Sequence, residues 1–200
     1  KIEQFGQVAK KMARLKPAMI EIDISCPHME YGKPYHADPE LTAKVTKEVK
    51  KNTGKIPVTA KLSPNVHDIK EIAHAAERAG ADAITAINTV TAMVIDIDAR
   101  KPILANKIGG MSGPALKPIA VRCVYDIYET VKIPIIGTGG VTYGKDAIEM
   151  IMAGATGIGI GSGIYYRGMD IFKKVCKEME SWMRKNKIKN LDEIRGCAHK

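Results

Sequence analysis

The chain has 200 residues, 45% of them hydrophobic and 26% charged, a composition that suits one globular domain with a hydrophobic core and excludes disordered, collagen-like and fibrous classes. Its 31 Lys and Arg against 22 Asp and Glu give a net charge of +9, but the cations are spread among the acids without aromatic interleaving. We therefore expect a solvated, lysine-rich surface and no nucleic-acid partner.

In chain order, the pattern predicts a helix over residues 1–14, a strand at 19–24, a helix at 39–51, a strand at 57–62, a helix at 66–79 and a strand at 83–87. A turn-rich stretch at 89–117 holds a small strand pair near 94–97 and 102–104, followed by a helix at 118–130 and a strand at 133–136. A helix at 144–153, a strand at 157–160 and a helix at 169–184 complete the series. Asp38-Pro39 has the form of an N-cap followed by proline at the first helical position, and Gly80 and Gly154 sit where helices must stop.

No apolar run approaches a membrane span and nothing at the start has the order of a secretory signal, so the expectation is a cytoplasmic protein with no membrane contact. The four cysteines are widely spaced without CxxC pairing, which points to reduced thiols and no metal site.

Strands alternating with helices predict an α/β fold with a parallel sheet, and periodicity alone fits either an open doubly wound sheet or part of a barrel. The glycine-rich turns favour the barrel. They follow the fourth and fifth strands, at Gly137-Thr138-Gly139-Gly140 and Gly161-Ser162-Gly163, whereas a dinucleotide fingerprint would follow the first. Barrels commonly bind phosphate after their last two strands, and a whole barrel needs about 250 residues. The expected fold is thus the C-terminal five βα units of a (β/α)8 TIM barrel, with residues 1–200 a single domain incomplete at its N-terminus.

Each strand ends in useful chemistry: Ser25-Cys26-Pro27-His28, Lys61-Leu62-Ser63-Pro64, Asn88-Thr89 and the two glycine turns. The strand ends of a barrel share one rim. Glycines at 139, 140, 161 and 163 let backbone amides approach a phosphate, or are simply tight turns. Lys61 is a cation for electron-rich ring atoms, or a lysine reaching solvent. Cys26, beside a proline in a loop with His28, Tyr31, Tyr35 and His36, is a candidate general base, with an ordinary buried thiol as the competing reading. His28 either addresses substrate or is satisfied by backbone. Asn88 offers a donor and an acceptor to a heterocycle, and Thr89 adds a hydroxyl. The stretch from Gly109 to Gly113 passes under a ring or is a plain loop.

Together the stretches ISCPH, AKLSPNVHDI, AGADAITAINT, KPILANKIGGMSGPALKPIAVR, IPIIGTGGV, AGATGIGIGSG and GCAHK resemble class 1 dihydroorotate dehydrogenase, especially the catalytic flavoprotein of its NAD-linked 1B branch. The resemblance implies an FMN-binding barrel, with FMN contacts from Lys61, Ile87, Gly113, Gly139, Gly140, Gly161 and Ser162. It places Asp23, Asn88 and Thr89 at the pyrimidine. Cys26 is the implied base, taking a proton from C5 of dihydroorotate while hydride leaves C6 for flavin N5, giving orotate for pyrimidine biosynthesis. It further implies a homo-oligomer and a second subunit carrying FAD and an iron–sulfur cluster that passes electrons to NAD.

One position departs from the pattern. Where the family motif reads Asn-x-Ser-Cys-Pro, this chain has Asp23-Ile24-Ser25-Cys26-Pro27. A carboxylate cannot donate as the amide does. At about 4 Å it would repel the orotate carboxylate by about 4 kcal/mol at an effective dielectric near 20. Dihydropyrimidine dehydrogenases, which share the SCPH loop and act on uracil or thymine, are the alternative resemblance. An incomplete, non-catalytic flavin-binding piece is the non-enzyme alternative.

Overall fold

The computed structural model describes residues 1–24 and 35–200. Helix α1 (Ile2–Ala13) leads into strand β1 (Ile20–Asp23). After a short 3-10 turn (Tyr35–Ala37) come α2 (Pro39–Thr53), β2 (Val58–Leu62), α3 (Ile69–Arg78) and β3 (Ala83–Ala86). Four short strands follow, β4 (Val90–Ala92), β5 (Ile95–Asp96), β6 (Lys101–Pro102) and β7 (Gly109–Met111). The chain continues through α4 (Lys117–Tyr128), β8 (Ile135–Thr138), α5 (Gly144–Met152) and β9 (Gly157–Gly159). Helices α6 (Gly163–Arg167) and α7 (Ile171–Lys185) come last.

Local chemistry sets these boundaries. The Asp38 carboxylate accepts from the amides of Glu40 and Leu41 at 2.8 and 3.1 Å, and Pro39 supplies a preset φ at the helix start. Asp68 accepts from the Lys70 amide at 2.8 Å, so α3 begins after this cap rather than at residue 66. Gly80 and Gly154 take φ of 97° and 121°, a region that an L side chain disfavours. Gly168, at φ 80°, separates α6 from α7. The expected strand at 133–136 instead starts at Ile135, because Pro134 has no N–H and the amide of Ile133 turns to the Glu77 carboxylate at 3.3 Å.

The five long-range strands pair in parallel in the order β1-β2-β3-β8-β9. Partners across the sheet include Asp23 with Lys61, Lys61 with Thr85, and Ile84 with Ile135. This order settles the choice that periodicity leaves open. A doubly wound sheet reverses strand order at a switch point and carries helices on both faces, whereas right-handed crossovers between successive neighbours keep the helices on one face. The sheet is a section of barrel, with β1 and β9 at its edges.

Alternation along β2 shows the two faces. Val58, Ala60 and Leu62 are fully buried in one cluster with Val45 and Val49 of α2 and Ile72 and Ala76 of α3. Thr59 and Lys61 occupy the opposite face, the interior side of the curved sheet.

Between β3 and α4 the structure holds two antiparallel pairs, β4 with β7 and β5 with β6. The inner pair answers to the expected one, with its first strand shortened to Ile95–Asp96 and its second shortened and moved back to Lys101–Pro102. The outer pair was not predicted, since Gly109 and Gly110 hide its alternation. Among the described residues, no helix is long and apolar enough to cross a membrane.

Candidate functional site

Strand-end hydrogen bonds continue the sheet to its rim and fix what stands there. The Ile87 amide donates to the Thr138 carbonyl and the Asn88 amide to the Leu62 carbonyl, both at 2.8 Å. Lys61 on β2 and Ile87, Asn88 and Thr89 after β3 thereby line a cavity of about 240 Å³, whose other wall includes Gly139, Gly140, Gly161 and Ser162. Ser112, Leu116 and Thr138 also line it. Ser112 and Thr138 lie inside the glycine-rich stretches noted in the sequence, whereas Leu116 carries no signal that distinguishes it from a core residue.

The glycines serve different ends. Gly139 has φ 133°, and a Cβ there would lie 2.7 Å from the Ala120 Cβ; Gly140 has φ 74°, and its Cβ would lie 2.8 Å from the Lys117 amide nitrogen. The turn itself requires both. Among the described residues, and its two chain neighbours aside, nothing lies within 4 Å of a Cβ added at Gly161, although the residue lines the cavity. Packing among the described residues does not demand glycine at 161, whereas a ligand lying against the backbone would.

Asp146 braces the first turn. It is buried, and it accepts from the amides of Thr142 and Tyr143 at 3.1 and 2.8 Å and from the Lys117 ammonium at 3.0 Å. Burial pushes its carboxyl upward, but the Tyr143 amide, Lys117 and the Thr142 amide outweigh burial and hold it below the usual carboxylate range.

A second missed residue is Asn65. Its amide nitrogen donates to the Thr89 carbonyl at 2.9 Å and its Oδ1 accepts from the Thr91 amide at 2.9 Å. These bonds tie the loop after β2 to the segment carrying Asn88 and Thr89. Gly110 completes the support, since a Cβ there would collide with the Thr89 side chain.

On the interior face of the sheet, Lys61 Nζ lies between two carboxylates of β1, 3.9 Å from Glu21 Oε1 and 3.8 Å from Asp23 Oδ2. The Thr85 hydroxyl donates to Glu21 at 2.7 Å and contacts the Thr59 hydroxyl at 3.3 Å. Asn88 Nδ2 donates to Asp23 Oδ1 at 3.3 Å, and Asn88 Oδ1 accepts from the Thr89 amide at 2.7 Å.

Two expected site residues do not line the cavity. Gly113 is buried, with its carbonyl against Gly140 and the Tyr166 hydroxyl beside it, so Ser112 rather than Gly113 faces the cavity. Asp23 is not among the described residues that line it, but it touches two that do, bonding Asn88 and lying 3.8 Å from Lys61, and with Glu21 it also lines a groove between α1 and β1. Cys26, His28 and Tyr31 lie outside the described residues. Tyr35 packs edge-on against Phe5, and neither it nor the buried His36 lines the cavity.

The wall combines a cation, a carboxamide, hydroxyls, two aliphatic side chains and exposed glycine backbone. That chemistry suits a planar, electron-rich ring carrying a phosphate, and the space left at Gly161 is consistent with such a ligand.

The dihydroorotate dehydrogenase family model matches residues 1–183. The catalytic subunit of dihydroorotate dehydrogenase B (NAD(+)) from Methanocaldococcus jannaschii is 55% identical over 98% of this chain and 64% of that protein. Its counterpart from Methanothermobacter thermautotrophicus is 46% identical, over 98% of this chain and 65% of that protein. The chain therefore spans just under two thirds of the length of these relatives. A crystal structure of an Eimeria tenella dihydroorotate dehydrogenase in complex with ferulenol superposes with a TM-score of 0.80, covering 98% of this chain and 57% of that one. At 21% identity, that likeness concerns the fold.

Proposed function

Since the chain belongs to the dihydroorotate dehydrogenase family, we propose that its strand-tip cavity binds FMN and that the protein oxidises dihydroorotate to orotate. The observation that carries this reading is the meeting of Lys61, Asn88, Thr89 and the glycine turns on one cavity, with Gly161 open toward it.

In this reading FMN, when bound, supplies the acceptor for the hydride lost from C6 of the substrate. Gly139, Gly140, Gly161 and Ser162 would hold its phosphate by backbone amides, and Lys61 and Ile87 would contact its ring, the one through charge and the other through an apolar side chain. Asn88 and Thr89 orient the pyrimidine through hydrogen bonds. Cys26 takes the proton from C5, a role that requires its thiolate form. A partner subunit carrying FAD and an iron–sulfur cluster would take up the electrons, with NAD as final acceptor. A cytoplasmic homo-oligomer completes the proposal.

Flavin fluorescence tests the first step: titrating FMN into the protein quenches emission if the cavity binds it. Addition of dihydroorotate then bleaches the flavin band. Unchanged absorbance rejects the activity, and reoxidation of the reduced flavin by uracil with no response to orotate selects a uracil-reducing enzyme instead. Cys26→Ala is expected to slow bleaching by about a hundredfold or more with FMN still bound. Loss of flavin in that variant would show a structural role for the thiol.

A further inference from the structure

We propose that Arg167 is a positioning residue that locks the two glycine turns into one phosphate cradle, so that the cavity's hold on a phosphorylated cofactor depends on a side chain outside its wall. This inference rests on the FMN reading of the cavity and concerns its phosphate end alone.

The cradle comes from two separate stretches of chain, Gly139-Gly140 after β8 and Gly161-Ser162 after β9. Backbone amides of two turns address one anion together only if the turns keep a fixed spacing, because a loose cradle must be ordered at the expense of binding. Arg167 ends α6, the helix that begins directly after the second turn, and its side chain reaches the segment that leaves the first. Its Nη1 donates to the Thr142 carbonyl at 2.9 Å. The buried Thr142 hydroxyl in turn donates to the Gly140 carbonyl at 3.2 Å, so a chain of bonds runs from α6 to the first glycine turn.

Several neighbours hold the guanidinium in place. Nη2 donates to Glu178 Oε1 at 2.6 Å, and Glu178 Oε2 accepts from the Gly144 amide at the start of α5, also at 2.6 Å. The guanidinium carbon lies 4.5 Å from the centroid of the Tyr143 ring. Arg167, with the Gly144 amide, keeps the Glu178 carboxyl below the usual carboxylate range against the effect of burial. The Arg167 side chain is 18% exposed, which limits competition from water. Gly163 brings the turns together at the backbone, since a Cβ there would lie 2.7 Å from the Val141 carbonyl oxygen. Neither Arg167 nor Gly163 is among the described residues that line the cavity, so both act on its shape.

The test compares R167M and R167K with the unsubstituted protein by FMN fluorescence titration, by the visible flavin band and by the phosphorus NMR resonance of bound FMN. R167M removes every donor and is expected to weaken FMN roughly tenfold. It should move the phosphorus resonance while the flavin band, which reports the ring near Lys61 and Ile87, stays in place. Lysine keeps the charge but lacks the planar fork that serves two acceptors, so R167K is expected to lose roughly threefold. If R167M does not fold by circular dichroism, R167K carries the test by itself. Unchanged affinity and phosphorus resonance in R167M overturn the proposal. So does unchanged affinity in R167K, which would mean that charge alone suffices, and so does a flavin band displaced together with the phosphorus resonance, which would assign Arg167 to the fold as a whole. If the unsubstituted protein does not quench FMN fluorescence, the FMN reading fails and the inference fails with it; equal quenching by all three proteins overturns the inference alone.

Discussion

Gly140 and Gly161 have the same side chain and opposite reasons for it. Alanine at 140 places a Cβ 2.8 Å from the Lys117 backbone nitrogen at φ 74°, so Gly140→Ala is expected to destabilise the fold by about 1–3 kcal/mol. Alanine at 161 meets nothing within 4 Å among the described residues apart from its chain neighbours. Gly161→Ala is therefore expected to leave stability within about 0.5 kcal/mol of the unsubstituted protein while weakening FMN roughly tenfold or more. Urea melts with and without FMN check both variants, and a stable Gly161→Ala protein that binds FMN normally would remove the argument for a ligand at that backbone. The sequence shows both glycines and suggests phosphate or tight turn for each. Their difference lies in neighbours such as Lys117 and Ala120, far away in the chain and close only after α4 packs beside β8.

Helices α4 and α5 are joined to the site through one buried carboxylate. Asp146 links the turn after β8 to α5 through two backbone amides and to α4 through Lys117. Its carboxyl lies below the ordinary range in the folded protein, so its contribution to stability is complete above the unfolded carboxylate pKa and is lost as pH falls through the lowered folded value. Asp146→Asn is expected to cost about 1–3 kcal/mol at pH 7, since it leaves Lys117 and an amide poorly matched. The cost should shrink toward the acid end of a pH series of denaturant melts, and a cost independent of pH would assign the effect to packing alone.

Nearly every element was readable from local signals: Asp38-Pro39 starting α2, Gly80 and Gly154 ending helices, apolar runs marking strands. One boundary moved where a distant group intervened, at Ile133, whose amide bonds Glu77 across 56 positions of sequence; the outer strand pair was hidden by its own glycines. Gly168 ends a short helix, Gly163–Arg167, that reads as loop beside the glycine turn.

At the scale of the whole molecule, the strand tips are held in one array because successive strands are neighbours. A ligand bridging the tips of β2, β3, β8 and β9 binds only the folded state and must stabilise it. FMN at a hundred times its dissociation constant is expected to add about 2.7 kcal/mol, read as a rise in melting temperature; a temperature unmoved by saturating FMN would contradict binding at the tips.

The amino-acid order alone determined the α/β alternation, the family resemblance and most of the residues that meet at the cavity, because strand ends, caps and glycine turns are specified by nearest neighbours in the chain. Tertiary structure decided the rest. It chose the barrel section over the doubly wound sheet through strand order, placed Ser112 rather than Gly113 at the wall, and recruited Asn65 to fix Thr89. It also paired Asp23 with Lys61 and with Asn88. Those outcomes depend on which side chains face one another across parallel strands, and cross-strand register links residues tens of positions apart, as Asp23 with Lys61 and Lys61 with Thr85.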